Sequence, residues 1–249
     1  MGDLAGKTII VTGAASGIGA ATAAEILARD GNVVATDIDW SQTGACGSDR
    51  ADGARLLRLP HDVSRAADWV AVIDAALEKF ARIDGLVNNA GRYLVKPLEH
   101  TSLAEWQSLT DVNVKGVFLG CRAVHPVMSR QGGGSIVNVV SAAGLQYFPG
   151  MAAYSASKSA VAAFNRAAMI DFAKDNIRVN GVLPGTVRTG MTRELLDSPE
   201  FVEQVIGKHV LRRAAEPEEI AAAVVFLLTD DACYVNGINL PVDGGLTLS

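Results

Sequence analysis

Short runs of β-branched and apolar residues recur along the chain, separated by longer alanine-rich stretches whose apolar positions repeat at helical spacing. The runs Thr8–Thr12, Asn32–Asp37, Arg55–Leu59, Gly85–Asn88, Ser135–Val140, Ile177–Leu183 and Ile238–Val242 predict strands. Several lack the in-and-out alternation of a half-exposed strand, the pattern expected when helices cover both faces of a parallel sheet. Helical periodicity predicts helices over 17–29, 65–81, 102–130, 152–174 and 217–229. Ser102 and Glu105 have the spacing of a capping box at the start of the third, and Pro217 suits the first turn of the last. Repeated strand–helix alternation predicts an α/β fold: a doubly wound parallel β-sheet of about seven strands flanked by helices on both faces. No linker, repeat or low-complexity segment divides residues 1–249, which are read as a single domain.

Composition narrows the setting. A chain of 249 residues, 49% hydrophobic, is long enough to bury a full core. A formal charge of −5 offers no electrostatic footprint for nucleic acid or an anionic membrane surface. Cys46, Cys121 and Cys233 are scattered, with no C-x-x-C, so a reducing compartment is expected and a disulfide framework is not. The opening residues lack the basic and apolar regions of a secretory signal, and Gly6 stands where a myristoylation motif needs Ser or Thr. The longest apolar run, Ile220–Leu228, is too short to span a bilayer. These features predict a cytoplasmic chain with no membrane partner.

The first strand runs into Thr12-Gly13-Ala14-Ala15-Ser16-Gly17-Ile18-Gly19. A glycine loop between strand and helix lets backbone N–H groups approach a pyrophosphate, with the positive end of the helix dipole behind them. A ligand-free βα turn can use the same glycines, so the loop needs a partner. Asp37 ends the second strand 24 residues after Gly13, where a Rossmann-type dinucleotide fold places the acid that accepts hydrogen bonds from the adenosine ribose. A carboxylate there repels a 2′-phosphate, and neighbouring Ser16 and Ile38 carry no positive charge to hold one, so NAD is favoured over NADP.

Tyr154 and Lys158 are four residues, about one helical turn, apart on a predicted helix and project from one face. A nearby ammonium favours the phenolate, so the pair can take a proton from an alcohol or return one to a carbonyl. The lysine can also hold the nicotinamide ribose. Such a pair arises by chance on many helices and gains meaning only from its surroundings.

Those surroundings resemble the short-chain dehydrogenase/reductase family. The matching motifs are TGAASGIG (12–19), Asp37, Asp62-Val63, NNAG (88–91), Asn113 in DVNVKG, Ser141 in NVVSAAG, YSASK (154–158), PGTVRT (184–189) and VDGG (242–245), at family-like spacing over essentially the whole chain. The resemblance implies that Tyr154 is the acid/base, that Lys158 tunes it and binds ribose, and that Ser141 hydrogen-bonds the substrate oxygen. It implies that Asn113 kinks its helix and holds a water in a proton relay from Lys158. It further implies that Asp62 and Val63 flank adenine, that Asn89, Ala90 and Gly91 line the cofactor groove, and that Pro184, Gly185, Val187 and Thr189 surround the nicotinamide amide.

For the substrate, three segments could line the pocket: Arg92–Leu94, Ala143–Phe148 and a loop at about 190–210. Ser141, Ala143, Tyr147, Tyr154, Met191 and Leu195 are its candidate contacts, which suit an apolar to mildly polar secondary alcohol or ketone. His61, His100, His125 and His209 share no metal-ligand spacing, so no metal is assigned. The alanine-rich helix 152–174 and the helix 102–130 are, by resemblance, the faces that build a homotetramer or homodimer. Two other functions remain open at this point: a 3-oxoacyl-thioester reductase using NADPH, and a non-catalytic dinucleotide-sensing protein.

Overall fold

The computed structural model describes residues 2–41 and 53–248; Cys46 lies outside them. Seven parallel strands form one sheet: β1 Thr8–Thr12, β2 Asn32–Asp37, β3 Leu56–Pro60, β4 Gly85–Asn88, β5 Gly134–Val139, β6 Ile177–Pro184 and β7 Asn239–Val242. Their order is β3-β2-β1-β4-β5-β6-β7. The chain leaves β1 in one direction and returns at β4 in the other, so a crevice opens beyond the carboxyl ends of these two strands.

Alternate residues of each strand feed two separate cores. On one face Ile9, Val11, Val33 and Val137 pack with helices α1 (Gly17–Ala28) and α8 (Pro217–Leu228). On the other, Ile10, Val34, Leu86 and Ile136 pack with α2 (Ala66–Phe80), α4 (Gly116–Gln131) and α5 (Ala152–Phe172). Burial on both faces explains the missing polar alternation in the strand sequences.

The expected helix 102–130 is interrupted. It opens as α3 (Leu103–Thr110) with the expected capping box, the Glu105 N–H donating to Ser102 Oγ and the Ser102 N–H to Glu105 Oε2. A π-helical turn at Asp111–Lys115 then separates α3 from α4. Asn113 sits in this turn and spends its amide on the chain opposite: Oδ1 accepts from Arg92 N at 2.7 Å, and Nδ2 donates to Arg92 O at 2.9 Å. Extra residues in a turn are a common way for a helix to aim a functional side chain. Two short helices, α6 (Arg193–Leu196) and α7 (Pro199–Gln204), occupy the expected loop at 190–210.

Four asparagine amides cross the core in a row. Asn88 Nδ2 donates to Asn138 Oδ1 at 2.8 Å, Asn138 Nδ2 to Asn165 Oδ1 at 2.6 Å, and Asn165 Nδ2 to Asn239 Oδ1 at 2.8 Å. Asn239 Nδ2 ends the row on Ala162 O. Room for it exists because residue 181 is glycine, where a Cβ would stand 2.4 Å from the amides of Asn165 and Asn239. The row ties β4, β5 and β7 to α5.

His61 is buried beside Trp69, ring edge against face at 4.4 Å, with Nδ1 on Thr36 Oγ1 at 2.9 Å. Burial pushes its pKa down to about 4 from 6.5, against the pull of Asp68 and Asp62. The folded protein therefore resists a proton that the unfolded chain accepts. Stability is unaffected above pH 6.5 and falls as pH drops from there towards 4. The loss attributable to this ring is on the order of 3 kcal/mol. Denaturant midpoints measured across this range should fall more steeply in the wild type than in His61→Asn; parallel slopes would remove His61 as the cause.

Candidate active site

Local geometry makes a cradle at the start of α1. Gly13 and Gly17 adopt φ of 66° and 55°, a region costly for other residues. A Cβ on Gly13 would stand 2.9 Å from Ala90 Cα, and one on Gly19 would stand 2.1 Å from Gly13 O. Only glycine lets the loops after β1 and β4 meet this closely. Thr12 Oγ1 holds them together by accepting from both Asn89 N and Ala90 N at 3.0 Å, and Asn89 Nδ2 donates to Thr12 O and Gly13 O. Asp37 is oriented from the same loop: its Oδ2 accepts from Ala15 N at 2.9 Å, and its Oδ1 accepts from Asp39 N at 3.1 Å.

The cradle opens into a cavity of about 970 Å³. Gly13, Ser16, Gly17, Ile18, Asp37 and Ile38 border one end of it. Asp62, Val63, Asn89, Ala90 and Gly91 continue the wall, and Pro184, Gly185, Val187 and Thr189 stand at the other end. Among the residues expected to hold a cofactor, Gly19 alone is off the wall; its part is the close packing of α1 on Gly13. A tight glycine turn, an oriented carboxylate and a cavity of this size fit a dinucleotide.

Ser141, Tyr154 and Lys158 meet on that wall. Ser141 follows β5, and its Oγ accepts from Ala143 N at 3.1 Å. Tyr154 and Lys158 rise one turn apart from α5, both buried, with Lys158 Nζ 5.8 Å from the centre of the Tyr154 ring. The ammonium donates to Val139 O at 3.0 Å. Behind it lies Asn113, off the cavity wall, with Nδ2 also donating to Ser157 Oγ at 3.1 Å. Gly91 lies beside both groups: a Cβ on it would stand in ordinary van der Waals contact with Asn113 Oδ1 at 3.4 Å and Lys158 Nζ at 3.5 Å.

The protein's own groups do not lower the tyrosine pKa as the sequence argument expects. Burial pushes Tyr154 up to about 12, although Ser141, through a hydrogen bond, pulls it down. Burial likewise pushes Lys158 down to about 8. Desolvation disfavours the charged form of each group and is the largest influence on both. The phenol is therefore held protonated and ready to donate.

The substrate end departs from expectation at one residue. Tyr147 is 71% exposed and turned away from the cavity, while its neighbour Phe148 is on the wall. Ala143, Met191 and Leu195 line the cavity as expected. Tyr93 also lines it, with its ring edge-on to Tyr154 at 4.9 Å. Met151, Val112 and Leu246 complete an apolar surface that sequence reasoning missed. The segment holding Tyr93 was legible from its place after NNAG; the other three sit in helical or terminal stretches with no signal of which way they face.

A family model described as enoyl-(acyl carrier protein) reductase matches residues 13–247. Cyclopentanol dehydrogenase of Comamonas testosteroni is 43% identical over 249 residues, covering 99% of each chain. 2-(R)-hydroxypropyl-CoM dehydrogenase of Xanthobacter autotrophicus is 41% identical over 246 residues, covering 97% of this chain and 98% of that one. The crystal structure of levodione reductase superposes with a TM-score of 0.92 at 33% identity, covering 99% of both chains.

A Tyr154→Phe variant should bind dinucleotide normally and lose about 10²- to 10⁴-fold in turnover, the usual contribution of a positioned acid/base. Stopped-flow turnover and cofactor titration check this; wild-type turnover in the variant would remove Tyr154 from the chemistry.

Proposed function

The chain belongs to the short-chain dehydrogenase/reductase family, and from that membership we propose that it interconverts a secondary alcohol and its ketone using NAD rather than NADP. The observation that carries this reading is the convergence of Ser141, Tyr154 and Lys158 on one wall of the cavity that the glycine cradle opens.

Bound nicotinamide supplies the centre that accepts or gives a hydride. The rest is the work of this chain. Gly13, Ser16, Gly17 and Ile18 present backbone to the pyrophosphate, and Asp37 offers its remaining acceptor positions to the adenosine ribose. Asp62 and Val63 border the adenine, Asn89 to Gly91 the groove, and Pro184, Gly185, Val187 and Thr189 the nicotinamide amide. Tyr154 gives its phenolic proton to the ketone oxygen, or takes the alcohol's proton in the other direction. Ser141 steadies the charge on that oxygen. Lys158 holds ribose hydroxyls and a positive charge near the phenol, with Asn113 behind it extending the relay.

Asp37 also separates this reading from a 3-oxoacyl-thioester reductase that uses NADPH. Ser16, Ile38, Asp62 and Ser64 border the same end of the cavity and bring no cation to a 2′-phosphate. A dinucleotide sensor would have no use for a buried tyrosine–lysine pair facing the cofactor. The apolar wall of Tyr93, Phe148, Met151 and Leu195 suits a compact cyclic or short aliphatic alcohol, in line with the cyclopentanol named for one relative.

Exposed Leu103, Phe118 and Ile170 on α3, α4 and α5 support a homotetramer or homodimer built through those helices. The free thiols of Cys121 and Cys233 support a cytoplasmic setting. Among the described residues no helix is long and apolar enough to cross a membrane.

A panel of cyclic secondary alcohols, followed by nicotinamide absorbance, should give turnover with NAD⁺ at least about tenfold above that with NADP⁺, the factor expected for one unmatched charge contact. Oxidation should rise with pH and ketone reduction fall, because the alcohol's proton is released in one direction and consumed in the other. A preference for NADP⁺ would overturn the cofactor assignment, and no turnover with any alcohol would overturn the reaction.

A further inference from the structure

Thr186 and Val205 lie on different walls of the cavity, the first in the loop after β6 and the second just beyond α7. His209 joins them. The residue is 2% exposed, and both ring nitrogens are engaged. A backbone N–H can only donate, so the 3.2 Å contact from Thr186 N makes Nε2 an acceptor that carries no proton. A carbonyl can only accept, so the 2.9 Å contact to Val205 O puts the proton on Nδ1. One protonation state, the neutral Nδ1–H tautomer, satisfies both. A second proton would set an N–H donor against the Thr186 N–H.

The charged neighbours are few. Asp243, after β7, lies within electrostatic reach of the ring, but its carboxylate already accepts from Gly245 N, Thr247 N and Thr247 Oγ1. Lys208, next in the chain, holds its ammonium 5.7 Å from the centre of the Phe148 ring. The hydrogen-bond geometry therefore dictates the tautomer.

We propose that His209 is a positioning residue: as the neutral Nδ1–H tautomer it staples the loop on the nicotinamide side to the segment just beyond α7 on the substrate side, and a second proton on the ring, which turns Nε2 from acceptor to donor, releases that loop. The kinetic part of this inference rests on the oxidoreductase reading; the tautomer is a property of the chain itself.

The first test needs no variant and no cofactor. Nitrogen-15 shifts of the imidazoles in the full-length chain at neutral pH should show His209 as the Nδ1–H form. An Nε2–H form or a doubly protonated ring would overturn the staple. Hydrogen exchange at the Thr186 amide should accelerate on acidification beyond the intrinsic rate change; protection that persists would also overturn it.

The second test divides the staple. His209→Asn keeps a donor for Val205 O but cannot reach Thr186, whereas His209→Gln offers Thr186 N–H an acceptor that does not titrate. The Asn variant should show about a tenfold rise in KM for NAD⁺, the scale of one buried hydrogen bond left unmade, with kcat changed less. The Gln variant should recover most of that affinity and lose the acid-side fall of kcat/KM that the staple predicts for the wild type. Wild-type KM and pH profile in both variants would overturn the proposal while leaving the oxidoreductase reading intact. Absence of NAD⁺ turnover in the wild type would sink that reading and leave the staple to be decided by the tautomer and amide exchange. Should the Asn variant fail to fold, the Gln variant and the wild-type spectra decide.

Discussion

The ammonium of Lys158 is the group around which the cleft is arranged. It is 6% exposed, has Val139 O as an acceptor, and would meet a Cβ at Gly91 if one were there. Burial lowers its pKa from 10.5 to about 8, so keeping it charged at neutral pH costs on the order of 3 kcal/mol. The sign of this cost is clear. It is present in full below about pH 8, and it is relieved as pH climbs towards 10.5, where the folded protein has already shed a proton the unfolded chain still holds. A fold accepts such a cost only where the two cores and the ladder of seven strands exceed it. Tyr154 carries the matching burden, buried and raised to about 12.

Much of this was legible in the sequence, and the reasons differ by feature. The strands are recognisable because burial on both faces demands unbroken apolar runs, and each begins and ends within a residue or so of its expected place. The glycines at 13 and 17 are legible because their backbone conformations exclude other residues. Asp37, Ser141, Tyr154 and Lys158 stand out through spacing combined with resemblance. The break between α3 and α4 is legible only through resemblance, which implies that Asn113 kinks its helix, because apolar periodicity alone runs through residues 102–130; the partner that takes up the Asn113 amide, the Arg92 backbone, is a contact made across the fold. The direction of the tyrosine's pKa was missed because a sequence shows which charges are close but not how far water has been removed.

The substrate end shows the limit of reading side chains by position alone. Tyr147 and Phe148 are adjacent, yet one faces solvent and the other the cavity. Nothing in the local pattern separates them, since this segment has no regular period. Tyr93 reaches Tyr154 from a loop after β4, and Leu246 arrives from the far end of the chain. The pocket is thus assembled from parts remote in sequence around a scaffold whose strands are easy to place, an arrangement that lets loops vary while the sheet keeps the reacting groups in register.

The row of four asparagines has a consequence for how the molecule assembles. Every amide in it offers its NH₂ group in the same sense, from Asn88 through Asn138 and Asn165 to Asn239. Turning any interior member around would set donor against donor at one neighbour and acceptor against acceptor at the other. A one-step rotation of α5 would strand Asn165 in the apolar interior and orphan two partners at once. The row therefore acts as a register lock during folding: misthreaded arrangements of α5 are penalised before any ligand arrives.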